Sequence, residues 1–193
     1  MLKEIFILGG ANGSGKSTFA VDLIEQTNYF FLNADEIEKE LDEPKTNAAS
    51  VKAGRRFFDK IYELIKDEVS FIVESTLSGK SLLNIIKQAK ENNYNISIIY
   101  VYLDSAETCI KRIKARVQKG GHFIPDDIVR RRYHRSLHNF WYRYKDLADS
   151  WMMYYNAGSA MEDVTAGKQE IFSVINLEYF EIFNQNLDKY ERD

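Results

Sequence analysis

A chain of 193 residues, 45% hydrophobic and 28% charged, has the length of one domain and the apolar content for a full core. Its one cysteine, Cys109, excludes an intramolecular disulfide framework, and no apolar run reaches the ~18 residues of a membrane span. The net charge of −3 argues against a general nucleic-acid binder, yet residues 111–145 hold eleven Lys/Arg and two Asp/Glu. That segment carries +9 and leaves −12 on the rest, so an anionic client is expected for it. The opening MLKEIFILGG lacks a signal-peptide layout, and a cytoplasmic location is expected.

The elements alternate in the manner of an α/β protein. The first strand candidate, Ile5–Leu8, runs into Gly10, Ala11, Asn12, Gly13, Ser14, Gly15, Lys16 and Ser17, a full G-x-x-x-x-G-K-[ST] phosphate loop. At ordinary glycine usage, chance produces this pattern roughly once per hundred chains of this length. Glycine lets backbone N–H groups close around a phosphate chain, and the helix predicted over Lys16–Gln26 points its positive end at the same anion. Lys16 suits the β- and γ-phosphates of ATP, the Ser17 hydroxyl suits Mg2+, and Thr18 completes the nucleotide set.

The second strand, Tyr29–Leu32, ends at Asn33-Ala34-Asp35-Glu36. Residues at the carboxyl ends of parallel strands face the ligand crevice. Asp35 is therefore a candidate base for a substrate hydroxyl, with capping of the short helix 35–41 as the equal alternative. A long helix follows at Ala48–Glu68, then a strand at Phe71–Val73 closed by Glu74, Ser75 and Thr76. Glu74 is a candidate to orient a Mg2+ water or a substrate hydroxyl, with Ser75 and Thr76 as hydrogen-bonding groups, against a turn that caps the helix predicted at Lys80–Asn92.

After the strand Ile96–Leu103 come two basic helices, Ala106–Gln118 and Asp126–Leu147, hinged at Gly120-Gly121. Arginines on a hinged segment suit a lid that neutralises charge on a transferring phosphoryl group. Phe140, Trp141, Tyr142 and Tyr144 are expected to pack beneath it, with base stacking as the alternative. A fifth strand, Trp151–Tyr155, and an amphipathic helix over Lys168–Leu187, with Ile171, Val174 and Ile175 on its apolar face, finish the chain. The expected architecture is an α/β P-loop NTPase: a five-stranded, mainly parallel sheet flanked by helices, with a basic helical lid. One domain would span residues 1–193, with a lid-like segment at about 111–145.

Six segments in this order carry a family likeness: residues 9–18 (GGANGSGKST), 31–37 (FLNADEI), 53–55 (AGR), 71–79 (FIVESTLSG), 116–125 (RVQKGGHFIP) and 131–136 (RRYHRS). Over residues 1 to about 160 the chain resembles the zeta toxin family of P-loop kinases, in particular its short, stand-alone bacterial members. The resemblance implies an ATP- and Mg2+-dependent kinase that phosphorylates a hydroxyl of a nucleotide sugar, with the 3′-hydroxyl of UDP-N-acetylglucosamine as the leading acceptor. It also implies an antitoxin protein as partner, while the lack of a span-length apolar run and the net charge leave neither membrane nor nucleic acid as an expected partner. Carried over by position, Lys16 binds phosphate, Ser17 binds the metal, Asp35 is the base, and Glu74 lies on the substrate side. Arg55 and Thr76 join the substrate side, and Arg116 with Arg131 or Arg132 supplies the lid. Two departures stand out: the chain reads Tyr154–Ser159 (YYNAGS) where the family carries an Asp-Asn-Ser-like segment, and it is shorter than the larger toxins. The alternatives are a kinase of another small metabolite or a polynucleotide end, and a nucleotide-dependent switch without a small-molecule acceptor.

Overall fold

The computed structural model of the chain describes residues 2–34, 36–37 and 47–191. Strands β1 (Lys3–Gly9), β2 (Phe30–Asn33), β3 (Phe71–Ser75), β4 (Tyr94–Tyr102), β5 (Ser150–Asn156), β6 (Met161–Lys168) and β7 (Ile171–Val174) form one sheet. The helices are α1 (Lys16–Thr27), α2 (Asn47–Lys66), α3 (Ser81–Glu91), α4 (Ala106–Val117), α5 (Asp126–Asn139) and α6 (Leu177–Glu191). Among the described residues no helix is long and apolar enough to cross a membrane.

The strand order is β2-β3-β1-β4-β5-β6-β7, parallel from β2 to β5 and antiparallel beyond. Short apolar runs suit the parallel strands because both of their faces are covered. Period-two alternation divides them: Ile5, Ile7 and Val73 join the larger core with α2 to α6, while Leu8, Ile72 and Val101 pack against Ala20 and Leu23 of α1. β1 lies between β3 and β4, with Gly9 opposite Ser75 on one side and Tyr100 on the other. The chain therefore leaves β1 and β3 at one edge of the sheet, where a crevice opens outside the carboxyl ends.

The expectation of five strands is corrected to seven. β6 and β7 form an antiparallel hairpin beyond β5, and the helix expected over Lys168–Leu187 begins only at Leu177. Ile171 and Val174 belong to β7, and the Ile175 N–H donates to the Val164 carbonyl at 2.8 Å. Apolar residues at 171, 174, 175 and 179 mimic one face of a helix, but the first of them lie on a strand.

The second basic helix also changes character. Regular α-geometry ends at Asn139 and passes through a wider π-turn, Phe140–Tyr144, and a 3-10 turn, Lys145–Leu147. Phe140 and Tyr144 are buried, and Phe140 stacks on Tyr100 with centroids 4.1 Å apart and planes within 5°. Trp141 meets Trp151, Phe172 and Phe183 edge-on or tilted at 5.5–6.0 Å. Phe140, Trp141 and Tyr144 pack beneath the basic segment, as burial of so much aromatic area favours, whereas Tyr142, expected there too, is exposed.

Candidate active site

The phosphate loop leaves the carboxyl end of β1 and turns into α1. Its Ser14 N–H donates to the Ala11 carbonyl at 3.2 Å, and the Gly15 carbonyl accepts from the N–H groups of Thr18 and Phe19 at 3.1 and 3.3 Å. Two glycines have no substitute here. Gly10 approaches the Val101 carbonyl so closely that a Cβ would overlap it, and Gly15 caps α1 at φ +106°, where a Cβ would overlap the Asn156 amide.

Lys16 is 5% exposed, with Nζ 3.0 Å from the Ala11 carbonyl oxygen and 3.7 Å from Glu74 Oε1. The Ser17 hydroxyl donates to Glu74 Oε2 at 2.9 Å. β3 brings Glu74 there, since its register sets Glu74 opposite Leu8 of β1 and Asn33 of β2. A carboxylate thus lies against both the lysine and the hydroxyl of the phosphate loop.

Two cavities meet at this point. The larger, about 540 Å³, lies over the phosphate loop and is bordered by Thr18, Arg112, Arg116 and the β5–β6 turn from Asn156 to Met161. The smaller, about 210 Å³, is bordered by Asn33, Phe57, Thr76, Ser78 and Arg132. Asn12, Lys16 and Glu74 border both and form their common wall. Thr76 and Ser78 share a hydroxyl–hydroxyl bond of 2.8 Å inside the smaller one. Its loop is held from α5 and the π-turn, where Asn139 donates to the Leu77 carbonyl at 2.9 Å and the Tyr144 hydroxyl to that of Gly79 at 2.7 Å.

The arginines sort by helix phase. Arg132 Nη1 donates to Asn12 Oδ1 at 3.2 Å, so this arginine faces the phosphate loop and the smaller cavity. Arg130 turns away to bind Glu107 through Nε and Nη2 at 2.6 and 3.3 Å, and Arg131 is exposed and borders neither cavity. Arg116 borders the larger cavity, with Nη2 donating to the His122 carbonyl at 3.2 Å. Arg55 is exposed on α2 and borders neither cavity. Asp35 lies outside the described residues; its neighbours Asn33 and Ala34 border the smaller cavity.

Three side chains at the site make contacts that sequence alone did not anticipate. Arg112 borders the larger cavity and donates to the Asn156 carbonyl at 3.2 Å, and Asn156 itself reaches the phosphate loop. The Asn12 side chain holds Arg132. The rule that strand carboxyl ends face the crevice would have flagged Asn156, the last residue of β5.

Relatives share this frame. The model of the AAA domain family matches residues 5–139. An uncharacterized protein of Haemophilus influenzae is 39% identical over 134 residues, covering 68% of this chain and 92% of its own. Among solved structures, AvrRxo1-ORF1:-ORF2 with ATP superposes with a TM-score of 0.73 at 18% identity, covering 93% of this chain and 63% of that one. The PezAT chromosomal toxin–antitoxin system of Streptococcus pneumoniae gives 0.64 at 12%, covering all of this chain and 88% of that one. At such identities the likeness is one of fold, and the chain spans about 63% of the length of the chain it matches in the AvrRxo1-ORF1:-ORF2 complex. With a complete phosphate loop, a kinase-like sheet and a family match over residues 5–139, the chain belongs to the AAA domain family of P-loop proteins.

Proposed function

We propose that the chain is an ATP-dependent kinase of zeta toxin type, acting on a hydroxyl of a nucleotide sugar, with UDP-N-acetylglucosamine as the leading acceptor. The observation that carries this reading is the pair of cavities with Asn12, Lys16 and Glu74 as a common wall. A donor phosphate over the loop and an acceptor hydroxyl in the smaller cavity meet across that wall. The hydroxyls of Thr76 and Ser78 beside the Phe57 ring suit a sugar.

In this mechanism Lys16 holds the β- and γ-phosphates, and the loop N–H groups bind the phosphate chain. Ser17 and Glu74, with their oxygens 2.9 Å apart, form a hard-oxygen pair that fits Mg2+, which keeps most of its water and takes few protein ligands. Ser17 and Glu74 would hold the ion, which when bound would supply positive charge against the negative charge that opposes attack. Asp35 accepts the proton of the acceptor hydroxyl, Thr76 orients the sugar, and Arg132 and Arg116 stabilise charge spreading over the transferring phosphoryl oxygens. Arg55 would reach only a part of the substrate outside the smaller cavity. The 193 residues act as one domain, with 111–145 as its lid and an antitoxin protein as the regulatory partner.

The test is ADP release from Mg-ATP with and without UDP-N-acetylglucosamine, alongside a panel of other sugars, small metabolites and oligonucleotides. Sugar-dependent ADP release with a phosphorylated sugar product is expected. Slow hydrolysis indifferent to every acceptor would leave a nucleotide switch instead.

A further inference from the structure

Asn156 closes β5, is 9% exposed and has both ends of its amide engaged. Nδ2 donates to the Ser14 carbonyl at 2.8 Å, across 142 residues of sequence, and Oδ1 accepts from the Gly158 N–H at 3.0 Å. Its main-chain carbonyl accepts from Arg112 Nη2 at 3.2 Å. We propose that Asn156 is a positioning residue that locks the Ser14–Gly15 peptide so that the Gly15 N–H faces the phosphates of the bound nucleotide. The inference rests on the reading of the larger cavity as a nucleotide site.

In a trans peptide the carbonyl and the following N–H point in opposite directions. Holding the Ser14 oxygen toward Asn156 therefore aims the Gly15 N–H away from Asn156. That N–H, like those of Gly13 and Ser17, has no acceptor among the described residues, whereas the Gly15 carbonyl accepts two bonds. Gly15, at φ +106°, imposes no side-chain barrier on rotation of the peptide, so the loop does not fix the orientation by itself. A rotated peptide would present the Ser14 carbonyl oxygen to phosphate oxygens, replacing an attraction by a repulsion. Oδ1 is committed to Gly158, which settles that the NH₂ end of the side chain faces Ser14.

The lock separates two roles that a residue on the cavity wall can have. A base contact concerns ATP but not inorganic tripolyphosphate; a phosphate-loop lock concerns both. Asn156→Asp keeps the acceptor for Gly158 and sets an oxygen against the Ser14 oxygen, and Asn156→Ala removes the donor without adding charge. Titration with Mg-ATP and with magnesium tripolyphosphate is expected to show Asn156→Asp weakened at least tenfold for both ligands, and Asn156→Ala by less. In the wild-type protein the Gly15 amide resonance is expected to move downfield on adding tripolyphosphate. That measurement needs no variant to fold. Loss of ATP affinity with tripolyphosphate unaffected, unchanged affinity for both, or a Gly15 amide indifferent to bound tripolyphosphate would each overturn the proposal. A wild type that binds neither ligand overturns the nucleotide reading with it. A wild type that binds both but phosphorylates nothing overturns the kinase reading alone.

Discussion

Arg130, Arg131 and Arg132 are chemically identical and adjacent, so replacing each by alanine isolates geometry from charge. Consecutive residues on a helix lie ~100° apart, and only one of the three can face the site. Arg132 does, 3.2 Å from Asn12 Oδ1 and bordering the cavity that also meets Lys16 and Glu74. An arginine aimed at a transferring phosphoryl group is worth about 10³–10⁵ in kcat where it acts alone. In the proposed mechanism Arg116 shares that charge from the larger cavity, which places Arg132→Ala below that range, at about 10²–10³-fold, or ~3–4 kcal/mol of barrier. Because the contribution arises as charge develops, kcat falls while KM for ATP changes by about threefold or less. Arg131→Ala and Arg130→Ala remove exposed side chains, the latter paired with exposed Glu107, and keep kcat within about twofold. Steady-state ADP release at saturating acceptor measures all three. Equal losses from Arg131 and Arg132, or an Arg132→Ala enzyme with wild-type turnover, would refute the assignment.

Burial pushes the Cys109 thiol up to about 12, against the pull of Lys16 and Arg112. A proton held more tightly in the folded state stabilises it below the unfolded value near pH 9, and that contribution is lost as pH rises toward 12. The urea midpoint should fall over this window. Cys109→Ala should make the fall shallower without abolishing it, because burial also raises Tyr144 to about 12. A thiol reagent at pH 8 should label Cys109 only after denaturation, and rapid labelling of the native protein would contradict its burial. Phe183 is fully buried, with the rings of Tyr102 and Trp141 at 5.4 and 5.5 Å and those of Tyr100, Phe140 and Phe180 at 6.3–6.5 Å. Phe183→Ala should cost about 3–5 kcal/mol in urea unfolding, and a loss under ~1 kcal/mol would show that α6 is not part of the core.

Sequence spoke most clearly where the chemistry is local. The phosphate loop is read within eight residues because backbone N–H groups, glycines and one lysine do the work in contiguous order. Glu74 was legible for a related reason: an apolar strand ending in an acid puts that acid at the crevice. The choice among three adjacent arginines was not, because helix phase is set by what α5 packs against, here buried Val129, Tyr133 and Leu137. Asn156 is a lone polar residue whose partner at Ser14 is remote in sequence, and only the fold brings them together. The β6–β7 hairpin was invisible for lack of contrast: β6 reads MEDVTAGK, with only Val164 and Thr165 buried, and the residues of β7 are all exposed.

The central place of β1 sets a timetable for the chain's own assembly. Among the strands it is synthesised first, yet its neighbours are β3 and β4, so Ile5 must wait for Phe71 on one side and Ile96 on the other. At 5–20 residues per second the run Phe6-Ile7-Leu8 stays unpaired for roughly 5–20 s while the second neighbour is made. Both closures span long loops, which slows folding relative to local pairings. The phosphate loop hangs from the end of this late-paired strand. Nucleotide can therefore act only on a sheet whose centre is already closed, holding the finished fold without guiding the early chain.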